Sequence, residues 1–298
     1  MPPMPRITVV TPSYNQGKYL EQTVLSVLNQ GYPDLEYIVM DGGSKDNSVE
    51  ILRKYAGQID HWVSELDEGQ ADAVLKGFRR ATGEILCWVN SDDILLPGAL
   101  RAVGEHFASN PDTELLVGGC VQIDENGEFW RDRKKRLAFN LGTDVTHHQL
   151  LFIGCRFAQP ASFWKRSVFF EVGGFDPNLR FCFDYDMYLR MTRRKPGVRL
   201  PRFLAAFRVH PESKSSTLQE IRSRENGILY QRFGRDRIPA WRRAWHRFYC
   251  RRLDRMETRR LRRLHRLGVL QLPTADDRNP ATWMAPTGNG SSSGASDL

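Results

Sequence analysis

The chain lacks any stretch that would carry it through a membrane or hold it together by disulfides. No apolar run in its 298 residues approaches the length needed to span a bilayer. The opening MPPMPRITVV has no basic region followed by a long apolar core, so it is not read as a secretory leader. Cysteine is scarce. Cys87, Cys120, Cys155, Cys182 and Cys250 are scattered, odd in number and free of any CxxC pair. That argues against a zinc site and a disulfide framework, and it suits a reducing compartment. No internal repeat recurs. A glycine-rich, basic phosphate loop is also missing near the N-terminus: Thr11–Gly17 has no arginine, and Lys18 is the first cation beyond it.

Acidic residues are thin at one end. Ile221–Leu272 holds sixteen arginines against four acids, a local charge of +12. The whole chain carries +8, so the remainder is mildly acidic, about −4. A body of one sign with an appendage of the other is expected. Within the basic segment Trp241–Leu267 reads as one long helix, with Trp241, Trp245, Phe248, Leu253, Met256, Leu261 and Leu264 three to five apart, expected either to dock on the body of the protein or to lie on an anionic membrane surface. Thr274–Leu298 is rich in Gly, Ser, Asn, Pro and Asp and reads as disordered.

What is abundant is strand–turn–helix alternation. Arg6–Thr11 is β-prone and ends in the turn cluster Pro12–Gly17, with a helical pattern over Lys18–Gln30. Glu36–Asp41 is a second strand, ending in Gly42-Gly43-Ser44-Lys45-Asp46, with a helix over Asn47–Tyr55. Ile59–Ser64 is a third, followed by Glu65–Gly69 and a helix over Gln70–Ala81. Glu84–Val89 is an apolar fourth strand that breaks into Asn90-Ser91-Asp92-Asp93. Ile94-Leu95-Leu96 resumes the apolar run, and Pro97 suits the first turn of a helix. Such cycles imply an α/β fold with a mostly parallel sheet covered by helices. Right-handed crossovers then gather every strand's C-terminal end on one rim. The polar clusters Thr11–Asn15, Asp41–Asp46, Asp67–Gln70 and Asn90–Asp93 converge there, where open α/β sheets bind ligands. Two adjacent carboxylates on that rim repel each other and favour a hard divalent ion whose shell a diphosphate completes.

Beyond the fourth strand the pattern loosens. Glu114–Ile123 and Val198–His210 read as strands, Ser167–Val172 and Asp184–Arg194 as helices, and Asp124–Gly127 as a hairpin turn. Arg131–Arg136 is a charged stretch expected at the surface, and His147-His148 has no partner motif.

With the rim in view the chain resembles the family 2 glycosyltransferases. The matching elements are Thr11-Pro12-Ser13-Tyr14-Asn15, Met40–Ser48, Asp67–Ala73, Asn90-Ser91-Asp92-Asp93, and Gly173-Gly174-Phe175-Asp176 with Phe183–Arg190. They cover about Arg6–Ser216 in the family's order. The resemblance implies the Rossmann-like GT-A fold, a nucleotide-sugar donor, a divalent ion (Mg²⁺ or Mn²⁺) and inversion at the anomeric carbon. Two positions depart from the family: the usual acidic pair before Gly-Ser reads Asp41-Gly42, and the first acid of the metal motif is Asn90.

The roles follow. Asp93 is expected to bind metal, with Asp92 bridging toward ribose or metal. Thr11, Ser13 and Tyr14 would line the base pocket, Tyr14 by stacking. Asp41 would read base or ribose, with Asp67 and Gln70 as further nucleotide contacts. Asp184 would be the general base that takes the acceptor hydroxyl's proton. Asp186, two residues on, points elsewhere on a helix and is assigned to the acceptor side with Trp164. His210 would complete the metal shell, and Arg208 would meet phosphate.

The organisation expected is a glycosyltransferase domain over 1–218 (nucleotide half about 1–97, acceptor half about 98–218), an Arg-rich helical extension over 219–272 and a tail over 273–298. The function expected is transfer from a UDP-sugar to a glycan or lipid-linked acceptor of cell-surface polysaccharide, in the cytoplasm or on the inner face of the plasma membrane. Two other functions compete. A sugar-1-phosphate nucleotidyltransferase would want the basic phosphate loop that Thr11–Gly17 lacks. A nucleic-acid-binding protein would use the arginines, but an acidic rim repels phosphates, so no nucleic acid is expected.

Overall fold

The computed structural model describes residues 3–128, 145–155 and 157–266. Three strand–helix cycles open the chain as the periodicity requires: β1 (Ile7–Ser13), α1 (Gly17–Leu28), β2 (Leu35–Asp41), α2 (Ser48–Tyr55), β3 (His61–Ser64) and α3 (Gln70–Arg80), leading into β4 (Ile85–Trp88). These four strands are parallel, in the order β3-β2-β1-β4. Successive residues face opposite sides of the sheet. Ile7, Val9, Ile85 and Cys87 join one buried cluster, and Val10, Leu86 and Trp88 join the other. Both faces of β1, β2 and β4 are covered, so their burial is continuous rather than alternating, while β3 at the edge is only partly buried.

The remaining elements are β5 (Ile94–Leu95), α4 (Ala99–Ser109), β6 (Leu115–Ile123), α5 (His147–Ile153), β7 (Ser162–Lys165), α6 (Arg166–Glu171), α7 (Phe183–Arg194), β8 (Val198–Arg208), α8 (Lys214–Thr217), α9 (Gln219–Arg232) and α10 (Ala240–Arg266). They complete one eight-stranded sheet, β3-β2-β1-β4-β7-β6-β8-β5. Here the sheet turns mixed. β7 is antiparallel to both β4 and β6, and β5 is antiparallel to β8.

Several local expectations need correcting. Pro97 does not start a helix: Gly98 takes a left-handed φ of 70° and α4 begins at Ala99. Ile94-Leu95 instead pairs with Ala205 and Ala206 as a short strand. α5 starts at a capping box in which Thr146 and Gln149 exchange side-chain and backbone bonds. Gln159–Ala161 forms a tight turn that leads directly into β7, to which the sequence pattern assigns no strand. Arg131–Arg136 and the tail over 273–298 lie outside the described residues.

Candidate active site

The C-terminal ends of β1 to β4 form the expected rim, and their loops are laced together. Asn15 adopts a left-handed φ of 51°. Its N–H donates to Ser44 Oγ (2.8 Å), and its side-chain oxygen accepts from the Lys45 N–H (2.9 Å). Asp46 accepts from the N–H groups of Gly17 (2.8 Å) and Ser48 (3.0 Å), so one carboxylate holds the starts of two helices.

Asp41 lies at the end of β2 between Ser13 and Ser64. It is 2% exposed, and its carboxylate accepts from the Ser44 N–H, the Ser44 hydroxyl and the Ser64 hydroxyl. Most of its accepting capacity is spent on the loop. Thr11 is also buried; its hydroxyl accepts from Tyr37 (3.1 Å), which fixes the sheet rather than lining a pocket. Ser13 differs. Its buried hydroxyl has no hydrogen-bond partner, an unmet polar group at a rim position. Tyr14 beside it is 59% exposed. The Gly42 departure has a physical reading: a Cβ added there would stand 2.6 Å from Asp67 Oδ2. Asp67 thus occupies the space that a side chain at position 42 would take, and its Oδ1 accepts from the Gly69 N–H (2.7 Å).

The Asn90–Asp93 turn separates its two acids. Asp93 is fully buried; its Oδ1 accepts from the Arg208 N–H and its Oδ2 from Asn90 Nδ2, both at 3.0 Å. Burial and the neighbouring Asp92 charge push its carboxyl well above the usual range. Asp92 is the carboxylate that reaches the rim, with a side chain 19% exposed and Oδ2 3.1 Å from His210 Nε2. Asp93, expected to be the ligand, is therefore enclosed beneath the turn, whereas Asp92 reaches the rim; His210, expected to complete the shell, has a side chain only 2% exposed and is held against Asp92. The Asn90 departure fits this arrangement. An amide can donate to Asp93, where an acid would add a second carboxylate about 3 Å away. Arg208 does not face a phosphate site. Its guanidinium donates to the Asp92, Asp124 and Glu125 carbonyls and to Gln22 Oε1, and it is 1% exposed.

On the acceptor side an aromatic cluster sets the floor. Phe175, from Gly173–Asp176, packs edge-on against Trp88 and Phe183 at 5.4 and 4.9 Å. Trp164 is also in this cluster, 0% exposed, between Phe78, Trp88 and Tyr188. It has no face to offer a sugar, so its assignment to the acceptor is withdrawn. Asp186 likewise points inward. It is 0% exposed and paired with Arg190 (2.8 Å) and Arg232 (2.7 Å). Asp184, on the first turn of α7, is half-buried and accepts from the Tyr185 N–H (2.7 Å). Burial pushes its carboxyl up to about 6, against the pull of Lys214 and Arg222.

Two residues that escaped sequence reasoning bind this half together. Lys214 donates to Gln70 Oε1 (2.7 Å), lies 5.0 Å from the Phe183 ring centre and carries the charge that Asp184 faces. Gln70 in turn donates to Asn90, which donates to Asp93, so a hydrogen-bonded chain joins Lys214 of α8 to the rim turn. Glu225 of α9, 1% exposed, accepts from the N–H groups of Arg180, Phe181 and Cys182 at 2.8 to 2.9 Å. It sits among arginines in sequence, so it reads as part of a charged surface. Only the fold shows it pinning the entry to α7. Glu225→Ala leaves three N–H donors without their acceptor, that of Cys182 buried and those of Arg180 and Phe181 part-buried, and is expected to cost about 2 kcal/mol, read as a lower urea midpoint, with Glu225→Gln recovering part.

Residues 8–174 match the family model described as glycosyl transferase family 2. The chain is 28% identical over 217 residues to the O-antigen biosynthesis glycosyltransferase WbnJ of Escherichia coli, covering 70% of this chain and 81% of that one. It spans only 38% of the length of the first curated relatives it matches, uncharacterised glycosyltransferases of Rickettsia. Among solved structures it is similar to S. aureus TarS 1–349 in complex with UDP-GlcNAc (TM-score 0.58, 17% identity, 71% of this chain and 61% of that one). It is also similar to the mannosyltransferase PcManGT of Pyrobaculum calidifontis in complex with GDP-Man and Mn²⁺ (TM-score 0.55, 22% identity, 72% and 60%).

Proposed function

The chain belongs to glycosyl transferase family 2, and from that premise we propose that it moves a sugar from a UDP-sugar to a glycan or lipid-linked acceptor in cell-surface polysaccharide synthesis, with inversion. WbnJ, an O-antigen enzyme, supports the polysaccharide role, and the UDP-GlcNAc held by TarS supports the donor class. The reaction belongs at the cytoplasmic face of the plasma membrane.

The observation that carries the reading is the polar chain from Asp93 through Asn90 and Gln70 to Lys214, which faces Asp184. It sets donor rim and base in one framework. Ser13 and Tyr14 receive the nucleotide, with Asp67 filling the space above Gly42. Asp41 and Thr11 act from beneath by fixing the loops. Asp184 accepts the proton of the acceptor hydroxyl as that oxygen bonds to the anomeric carbon. The bond from that carbon to the donor's phosphate oxygen breaks with oxocarbenium character, and the electron pair leaves on the nucleoside diphosphate. No covalent enzyme intermediate is needed.

Asp92 and His210 suit a divalent ion. Asp92 would offer a carboxylate oxygen at the rim, His210 Nε2 lies 3.1 Å from it and would join the shell by exchanging that hydrogen bond for the ion, and diphosphate and water would supply the other ligands. Among the described residues no group of three His, Cys, Asp or Glu gathers as a metal site. When bound, the ion stabilises the departing diphosphate as a Lewis acid.

The test is thermal stabilisation by, and release of nucleotide from, a panel of sugar nucleotides with Mg²⁺, Mn²⁺ or EDTA. UDP-sugars should stabilise the protein and be turned over, and EDTA should abolish turnover. A protein that ignores every sugar nucleotide, or works equally well in EDTA, refutes the proposal.

A further inference from the structure

α10 has two working faces, and only one is used by the protein. His246 packs on His148 and Phe152 of α5, with ring centres 4.5 and 4.7 Å away. Arg243, His246, Cys250 and Leu253, spaced three and four apart, are its less exposed positions. The helix is therefore docked, and yet its largest aromatic side chains remain outside. Trp241 is 68% and Trp245 61% exposed, and Phe248, Tyr249 and Met256 are about half exposed. At about 100° per residue these five fall within an arc of roughly 100°, centred well away from the docked stripe.

The rest of the exposed surface is basic. Arg242 flanks the aromatic arc on one side and Arg247, Arg251 and Arg255 on the other, while Arg252 and Arg259 lie along it; all six are exposed. A cavity of about 300 Å³ lined by His147, Arg193, Arg232 and Arg237 adjoins the link into the helix, so the positive charge continues at its foot. No helix among the described residues is long and apolar enough to cross a membrane. α10 runs for 27 residues, roughly 40 Å at 1.5 Å per residue.

We propose that this face lies on an anionic lipid surface, the aromatic side chains entering the headgroup boundary and the arginines pairing with lipid phosphates. The inference goes beyond the transferase reading and does not depend on it. Tryptophan and tyrosine suit that boundary because each joins an apolar body to a polar tip. An apolar arc edged by cations is the pattern of helices that lie in the interface plane. A second copy is the poorer occupant, because two such faces would set arginine against arginine.

The experiment is co-sedimentation of the full chain with vesicles of phosphatidylcholine alone or mixed with phosphatidylglycerol. Wild type should sediment with the mixed vesicles, weakly or not at all with the neutral ones, and less as salt rises. Trp245→Ala/Phe248→Ala removes exposed apolar area only, so its circular dichroism should match wild type while its partitioning falls roughly tenfold or more. A second variant, Arg247→Gln/Arg251→Gln, should lose binding to the mixed vesicles but keep the aromatic arc. Equal binding to both vesicle types overturns the proposal. So does unchanged binding by both variants, a wild-type dimer that Trp245→Ala/Phe248→Ala dissociates, or duplex DNA captured more tightly than the mixed vesicles.

Discussion

Asp184→Asn is expected to bind the sugar nucleotide as wild type does and to turn it over about 10²- to 10⁴-fold more slowly. Asp184 lies at the start of α7, and in the proposed mechanism it acts on the acceptor while the loops after β1 and β2 take the nucleotide. Its loss should therefore fall on turnover and spare donor affinity, which calorimetry with the intact sugar nucleotide separates from rate. The pH profile gives a second readout. A carboxyl raised to about 6 by burial must be ionised to accept a proton, so wild-type kcat/KM should fall as pH drops through about 6. The ionised form is the one that burial disfavours. In stability terms this group therefore favours folding most below the ordinary carboxylate range, and that contribution is lost as pH rises toward 6. The charges facing it are Lys214 and Arg222, with Cys155, Cys182 and Tyr188 nearby. Lys214 is itself lowered to about 8 by burial and held up by Asp184, so it should titrate lower still in Asp184→Asn. If Asp186→Asn is inactive in a folded protein while Asp184→Asn works, the roles are reversed.

Asp92→Asn should lose activity by about 10²- to 10³-fold and keep its Tm, with the metal concentration for half-maximal rate moved upward. Asp93→Asn should behave in the opposite way. Its carboxylate accepts from both Arg208 and Asn90 inside the protein, so an amide there faces Asn90 donor to donor. The expected cost is about 1 to 3 kcal/mol of stability, with the folded fraction retaining activity. His210→Ala should follow Asp92→Asn. An Asp93→Asn protein of unchanged Tm and no activity would return the ligand role to Asp93.

The first half of the fold was legible because parallel strands buried on both faces write themselves as apolar runs, each punctuated by a turn cluster. The bounds of β1 through β4 fall within two residues of those read from periodicity. β7 was hidden because Ser162–Lys165 follows directly on the turn Gln159–Ala161 and pairs antiparallel with β4 and β6, outside the strand–helix cycles that made the equally short β3 and β4 readable. The same short strand explains why Trp164 was misread: with no strand assigned, nothing indicated that it faces the core. Asp92 and Asp93 are adjacent and chemically identical in sequence; only β8 passing alongside, with Arg208 and His210, makes one a prop and the other a rim donor. Glu225 and Lys214 were unreadable for a related reason. Their partners lie 43 to 45 and 144 residues away, and no local pattern encodes a contact at that range.

Glu225 also sets an order of events during synthesis. Arg180, Phe181 and Cys182 leave the ribosome 43 to 45 residues before the side chain that accepts their amide protons. At about 5 to 20 residues per second that interval lasts several seconds, and the helix carrying Asp184 spends it without its anchor. A nascent chain with α1 through β8 complete therefore still lacks a settled base. α10 begins fifteen positions after Glu225, so the last side chain that steadies the chemistry and the first turn of the aromatic, arginine-edged face are translated within about three seconds of each other. On the proposed readings, the contact that steadies α7 and the surface offered to lipid are acquired in the same short window of translation.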